Sequence, residues 1–253
     1  MDEASPAAQE NMSNVPVAIT AWFPVGRQSH QSMIGSNFRQ PMSNKPNIRQ
    51  EQRRLQTRAA LFDAGLKLFA ERAVDSISID DIVQQAGVAK GSFFNHFTDK
   101  AEFASAVAMK IRIEIEVNIA AVNRDVTDPA LRIAHGVCSF VKFALLDRQA
   151  AKSFARARAK STGLAHPLDA GLRTDVELGT KMGRFSLCNV ATGEVCVIGV
   201  TQRLLTSILT NSATPLEART LSIDVLTVLL TGFGVTSTEA RRVSTIAACS
   251  LIE

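Results

Sequence analysis

Residues 78–100 read Ser78-Ile-Asp-Asp-Ile-Val-Gln-Gln-Ala-Gly87-Val-Ala-Lys-Gly-Ser-Phe93-Phe-Asn-His-Phe97-Thr-Asp-Lys100. Ser78 can cap a first helical turn, with Asp81 three residues on in the position of a capping box, Asp standing in for the usual Glu. Ile82, Val83 and Ala86 form the inward face of that helix. Gly87 sits where a helix ends in a left-handed residue, a conformation costly for any side chain with a Cβ. Val88 can fill the angle between this helix and the next, which the pattern predicts over roughly 89–97. Helix, glycine turn and short second helix together fit a DNA major groove, and they set the reading of the whole chain.

Within the second helix, Phe93 and Phe97 lie four apart and anchor it. That leaves Lys90, Gly91, Ser92, Phe94, Asn95 and His96 for the groove. Lys donates to guanine acceptors, Asn pairs bidentately with adenine, Ser serves either base, and Gly91 permits close backbone approach. His96 and Lys100 stand at the helix end and the next helix start, where phosphate is the expected contact.

Upstream, Leu55, Ala59, Phe62, Leu66 and Phe69 recur at intervals of four and three and predict one helical stripe. Arg49, Arg53, Arg54 and Arg58 gather at the start of that helix, opposed only by Glu51. Such a cluster is either a solvated face or, next to a helix-turn-helix, an arm on the phosphate backbone that positions without reading sequence. Ser78 is counted with the DNA-contacting residues.

Downstream, every segment reads helical. Asp99 and Glu102 form a capping box for a helix carrying Phe103, Val107, Ile111, Ile115 and Val117 to about 123. Pro129 opens one carrying Ile133, Val137, Phe140, Val141 and Ala144. Arg148, Lys152, Arg156 and Lys160 follow at four-residue spacing, a solvated basic stripe or a second DNA surface. His166-Pro167 opens a helix ending near Gly183. Residues 191–210 are ambiguous, since Thr192, Val195, Val197, Ile198 and Val200 also suit a strand. Thr214-Pro215-Leu216-Glu217 combines a cap, Pro at the first helical position and Glu at the third, and Thr236 starts the last helix. The architecture expected is all-α.

Residues 1–48 hold five prolines and much Ser, Asn and Gln with no periodicity, and read as a disordered extension. The alternative is a translation start at Met42. With 253 residues, 46% hydrophobic and net charge +4, the rest can bury a sizeable core, and the mild positive excess is compatible with an anionic partner. Four scattered cysteines without a C-x-x-C pair imply reduced thiols. No signal peptide or membrane span is indicated, so a cytoplasmic protein with no membrane partner is expected.

An enzyme finds little support. His30, His96, His135 and His166 have no metal-ligand spacing, and neither a P-loop nor a G-x-S-x-G is present. No cofactor and no metal are expected.

Over about 50–105 the sequence resembles the TetR family of bacterial transcriptional regulators. The matching residues are the 58–71 helix with Leu68-Phe69, then Ser78 and Ile82, the run from Ala86 to Phe97, and the trailing Lys100. The resemblance implies a helix-turn-helix DNA-binding domain at 49–101. It also implies a helical ligand-binding and dimerisation domain at 102–253, with a homodimer on a pseudo-palindromic operator and a small-molecule effector that releases DNA. By resemblance Lys90, Ser92, Phe94, Asn95, His96 and Lys100 fall at DNA-contact positions. Two residues depart from the family pattern. Phe94 stands where Tyr is usual and lacks a hydroxyl for phosphate, and Ala89 stands where Ser or Thr would cap the second helix. The dimer interface is expected within 191–233 as a four-helix bundle. The pocket is expected among helices from 102 to 210, with His135, Phe140, Phe143 and Met182 as lining and a hydrophobic or amphipathic effector. A helical protein-interaction module with a degenerate helix-turn-helix remains the alternative.

Overall fold

A computed structural model describes residues 48–158 and 169–253. Among them are ten α-helices and no strand: α1 (Ile48–Glu71), α2 (Ile79–Ala86), α3 (Lys90–Phe94), α4 (Lys100–Val122), α5 (Pro129–Leu146), α6 (Arg148–Arg158), α7 (Ala170–Lys181), α8 (Val190–Thr210), α9 (Pro215–Gly232) and α10 (Ser237–Leu251). A 3-10 turn at Val74–Ser76 joins α1 to α2. The extension up to residue 47, Met42, Lys160, His166 and Pro167 lie outside the described residues.

Most helix starts are set by the side chain just before them. Asp128, Asn189 and Thr214 each accept a hydrogen bond from a first-turn amide of α5, α8 and α9. Asp99 does the same for α4 through the Glu102 amide, but Glu102 turns its carboxylate to the amide and hydroxyl of Thr98 rather than closing a box on Asp99. Each such cap contributes about 1 kcal/mol.

The stripe expected on α1 is correct only in its second half. Phe62 and Phe69 are buried and Leu66 is partly so, whereas Leu55 is 54% exposed and Ala59 is also open to solvent. The first turns of α1 project past the core, and burial begins at Leu61. On α4, Val117 is likewise exposed, because the apolar residues run round the whole helix and only Phe103, Ala104, Val107, Ile111 and Ile115 are fully buried.

Residues 190–210 form a helix despite their β-branched content. The Asn189 cap starts it, and Val197, Leu204, Leu205, Ile208 and Leu209 bury one face. Gly193 lets α7 come close, since a Cβ there would stand 2.8 Å from Val176 Cγ1. Tertiary packing outweighs local strand preference here.

The basic stripe of α6 is not a free charged face. Arg148 donates to the Ala213 carbonyl and Arg156 to the Phe69 carbonyl, so both guanidiniums tie helices together, while Lys152 is exposed. α5 is the one described helix long and apolar enough to cross a membrane. It is instead the central helix of the fold, packed by α4, α7, α8, α9 and α10.

Candidate nucleic-acid interface and effector cavity

The helix-turn-helix is built as its local chemistry dictates. Ser78 Oγ accepts from the Asp81 amide at 3.0 Å and Asp81 Oδ2 accepts from the Ser78 amide at 2.9 Å, closing the capping box. Those bonds hold the Asp81 carboxyl below its ordinary range. Gly87 adopts φ 66°, ψ 33°, and the amides of Gly87 and Val88 return to carbonyls at the end of α2. α3 is shorter than the pattern predicts, spanning only Lys90–Phe94, and its preceding residue Ala89 supplies no side-chain cap.

Five phenylalanines hold this unit together. Phe93 and Phe97 are buried, and both pack on Phe103 of α4, with ring centroids 5.5 and 4.9 Å away. Phe103 also meets Phe62 and Phe69 of α1, so one ring binds α1, α3 and α4. Edge-to-face pairs of this kind contribute about 0.5–1.5 kcal/mol each beyond area burial. Arg58 covers the cluster, its guanidinium 5.4 Å from the centroids of Phe62 and Phe97. Burial, with Arg54 beside it, lowers its pKa. Arg58 is thus committed to the rings, while Arg49, Arg53 and Arg54 are exposed on the projecting turns of α1, Arg54 only 3.9 Å from Glu51.

The residues expected to meet DNA are placed unevenly. Lys90, Gly91, Phe94 and Asn95 are exposed on one short stretch, Phe94 to 50%, and Ser92 is partly buried beside them. A Cβ on Gly91 would meet nothing within 4 Å, so the surface there is open. Lys90 Nζ makes a 2.9 Å ion pair with Asp80, an exposed contact worth little in water. His96 is half-buried, and burial followed by Arg54 and Arg58 lowers its pKa, so it stays neutral near pH 7. Lys100 donates to the carbonyls of Asp75 and Ile77 at 3.1 and 2.6 Å. Two of its three donors therefore fix the 3-10 turn, which the sequence does not reveal.

The second site is a cavity of about 180 Å³ among α4, α5, α6, α7 and α8. Its apolar wall includes Ile133, Val137, Phe140, Phe154 and Leu172, the two rings being stacked at 6.0 Å. Its polar wall contains three ion pairs made by two arginines. Arg112 lies 2.6 Å from Glu116 and 3.0 Å from Asp169, and its guanidinium stands 4.9 Å over the Phe140 ring. Arg132 holds Asp175 and the carbonyls of Asn123 and Val126. Burial raises the pKa of Glu116 and of Asp175, opposed in each case by the neighbouring arginine.

Of the residues expected in the pocket, Phe140 lines this cavity. His135 lies behind the wall, its Nδ1 3.0 Å from Asn123 Oδ1, and burial with Arg132 nearby lowers its pKa. Since Asn123 Nδ2 donates to the Arg132 carbonyl, its oxygen faces His135 and the proton is on Nδ1. Phe143 is half-buried elsewhere on α5 and lines no part of it; Met182 is 61% exposed just past α7. The sequence missed Arg112 and Glu116. The signal was a pair of charges four apart inside the apolar run Ile111–Val117. A third feature is a surface groove between α8 and α9, lined by Leu187, Cys196, Val200, Val225, Val228 and Leu229, with Val228 74% exposed.

A glycine-turned helix pair, anchored on an aromatic cluster and presenting Lys90, Gly91 and Asn95 outward, defines a helix-turn-helix unit in a fold that is all-α among the described residues. Residues 61–107 match the family described as bacterial regulatory proteins, tetR family. Over those residues the chain is similar to that family, and it spans less than half the length of the curated relatives it matches. It is 32% identical over 79 residues to the HTH-type transcriptional repressor DhaR of Mycobacterium sp. (strain GP1), a match over 31% of this chain and 40% of that repressor. The fold likeness extends further. The structure of RolR in complex with resorcinol aligns with TM-score 0.57 at 26% identity, over 77% of this chain and 96% of that one. The structure of FadR from Bacillus subtilis in complex with stearoyl-CoA aligns with TM-score 0.55 at 16% identity, over 69% and 98%. At that identity the likeness is one of fold.

Proposed function

We propose that this chain is a ligand-responsive transcriptional repressor that binds a pseudo-palindromic operator as a homodimer in the cytoplasm. Residues 49–101 are the DNA-binding domain and residues 102–253 the effector and dimerisation domain. The observation that carries the reading is α3 itself, held from below by Phe93 and Phe97 while Lys90, Gly91, Phe94 and Asn95 face outward. Base contacts come from Lys90, Ser92 and Asn95. Arg49, Arg53 and Arg54 approach phosphates from the projecting start of α1, with Phe94, His96 and the one remaining donor of Lys100 at the same backbone. Ser78 acts there chiefly by capping α2.

Two copies are required because one α3 reaches too few bases, and symmetry doubles the contacts. The exposed apolar groove between α8 and α9 supports the interface expected within 191–233. The cavity bordered by Phe140 is the effector site, and the resorcinol complex of the similar RolR supports a small-molecule effector.

The test is a footprint of the purified chain on DNA flanking its own gene, repeated over a salt series. Specific protection is expected on two half-sites about one helical turn, or a multiple of it, apart, with affinity falling steeply as salt rises. The protein-interaction reading draws on the commitments of Lys100 and Arg58 to the protein itself. It would be favoured by a salt slope near zero and no protected site.

A further inference from the structure

We infer that the cavity between α4 and α8 takes an uncharged, single-ring aromatic compound bearing hydroxyl groups. This rests on the effector reading above and specifies its chemistry.

Size comes first. A dry protein cavity of about 150 Å³ holds one benzene, so 180 Å³ fits one substituted ring and falls far short of a long acyl chain. Shape follows from Phe140 and Phe154, whose rings lie 6.0 Å apart and only 30° from parallel. They give the apolar wall a flat aromatic surface, against which another ring packs in offset or edge-on geometry.

Charge decides the rest. Both guanidiniums in the wall are already matched, Arg112 by Glu116 and Asp169, Arg132 by Asp175. A carboxylate entering the cavity finds no unmatched cation and faces Glu116 and Asp175. An ammonium group must compete with Arg112 and Arg132 for carboxylates that already hold them. Burying either ion without a partner is far costlier than burying a neutral group. A hydroxyl meets neither penalty. An ionised carboxylate offers about four lone-pair positions, so Glu116, though bonded to Arg112, retains acceptor capacity for a phenolic O–H. The raised pKa of Glu116 agrees with its partly desolvated place at this wall.

Gly136 provides a clean way to close the site. It lines the cavity from within α5, and a Cβ there meets nothing within 4 Å, so a larger side chain enters empty space rather than packed atoms. Gly is also the poorest helix former after Pro, which favours folding of the variant.

The experiment titrates the full chain with three one-ring probes, catechol, benzoate and benzylamine, by calorimetry. Catechol is expected to bind at least tenfold more tightly than either ion. Gly136→Leu is expected to abolish that binding while melting at or above the wild-type temperature, and Glu116→Gln to weaken it about tenfold. Equal or tighter binding of benzoate or benzylamine, or undiminished catechol binding by Gly136→Leu, overturns the inference. A chain that binds DNA but no catechol at millimolar concentration overturns it alone. A chain that binds catechol but no DNA leaves it standing and removes the regulator reading instead.

Discussion

Ala89→Ser should stabilise the recognition helix measurably. Ala89 precedes α3 with φ −71° and ψ 148°, the extended backbone of a helix cap, and its side chain has no acceptor to offer. The position is exposed, so a hydroxyl there buries no polar group. Serine in place of alanine at a cap contributes about 0.5–2 kcal/mol, typically about 1. A helix of only five residues has few internal bonds to share the load, which places the effect near the middle of that range or above it. For a folded unit of this size, 1 kcal/mol raises Tm by about 2–4 °C. The assay is a thermal melt of wild type, Ala89→Ser and Ala89→Val, the last adding bulk without an acceptor. Ser should raise Tm and Val should not. An unchanged or lower Tm for Ala89→Ser, or an equal gain for Val, would refute the cap argument and show that the first-turn amides of α3 are satisfied in another way.

Other expectations follow from packing and charge. Gly65→Ala places a Cβ 2.7 Å from Phe103 Cζ and 3.1 Å from Val107 Cγ2. Overpacking there costs about 1–3 kcal/mol, against about 1 kcal/mol of helix propensity regained, so urea unfolding should show a net loss; a more stable variant would contradict the rigidity ascribed to the aromatic cluster. Stability should fall as pH is lowered from 7.5 to 5.5. His135 and His96 both have folded-state pKa values depressed below the usual 6.5 by burial. The unfolded chain therefore takes up protons first, and their contribution is full above about pH 6.5 and lost as pH falls through the folded values. Glu116 and Asp175, with raised values, act in the opposite sense nearer the carboxylate range. His135→Gln should flatten the slope in urea titrations; an unaltered slope would assign the dependence elsewhere. Ser153→Ala removes the hydroxyl that reaches the Leu66 carbonyl across α6 and α1, a loss of about 0.5–1.5 kcal/mol. It should blunt effector-driven release in a DNA-binding assay while catechol affinity holds.

Sequence reading was most informative where structure is decided within four or five residues. The Ser78–Asp81 box, the left-handed Gly87 and the Thr214–Glu217 cap are local events whose partners are neighbours in the chain. The buried pair Phe93 and Phe97 follows from spacing alone. The structural role of Lys100 was not legible because its partners, the carbonyls of Asp75 and Ile77, are created by a 3-10 turn more than twenty residues away. Arg58 was misleading for a related reason, since a cation beside other cations looks solvated until the rings beneath it are known. The cavity was harder still. Five helices meet to form it, and which face of α5 looks inward depends on all of them. Phe140 therefore lines it while Phe143, three residues on, does not.

On the proposed reading, α6 is the link between the ring-sized cavity and the helix-turn-helix. Phe154 borders the cavity and stacks on Phe140, while the adjacent Ser153 and the following Arg156 hold the carbonyls of Leu66 and Phe69 on α1. Ser153 and Arg156 are three apart, so they share a face one turn long. Ala150, Ala151 and Ala157, all buried, leave no long side chains to absorb a shift by changing rotamer. On the proposed reading, a ligand that pushes on Phe154 without turning its ring moves the helix as a body. The moved helix strains two hydrogen bonds to the segment of α1 that carries Phe69, and Phe69 packs on Phe103. Close-packed interfaces respond to such a push by switching between discrete arrangements rather than yielding gradually. The contacts that connect the cavity to α3 run Phe154, Ser153 with Arg156, Phe69, Phe103 and Phe93, and each successive step is a contact or a bond along one helix.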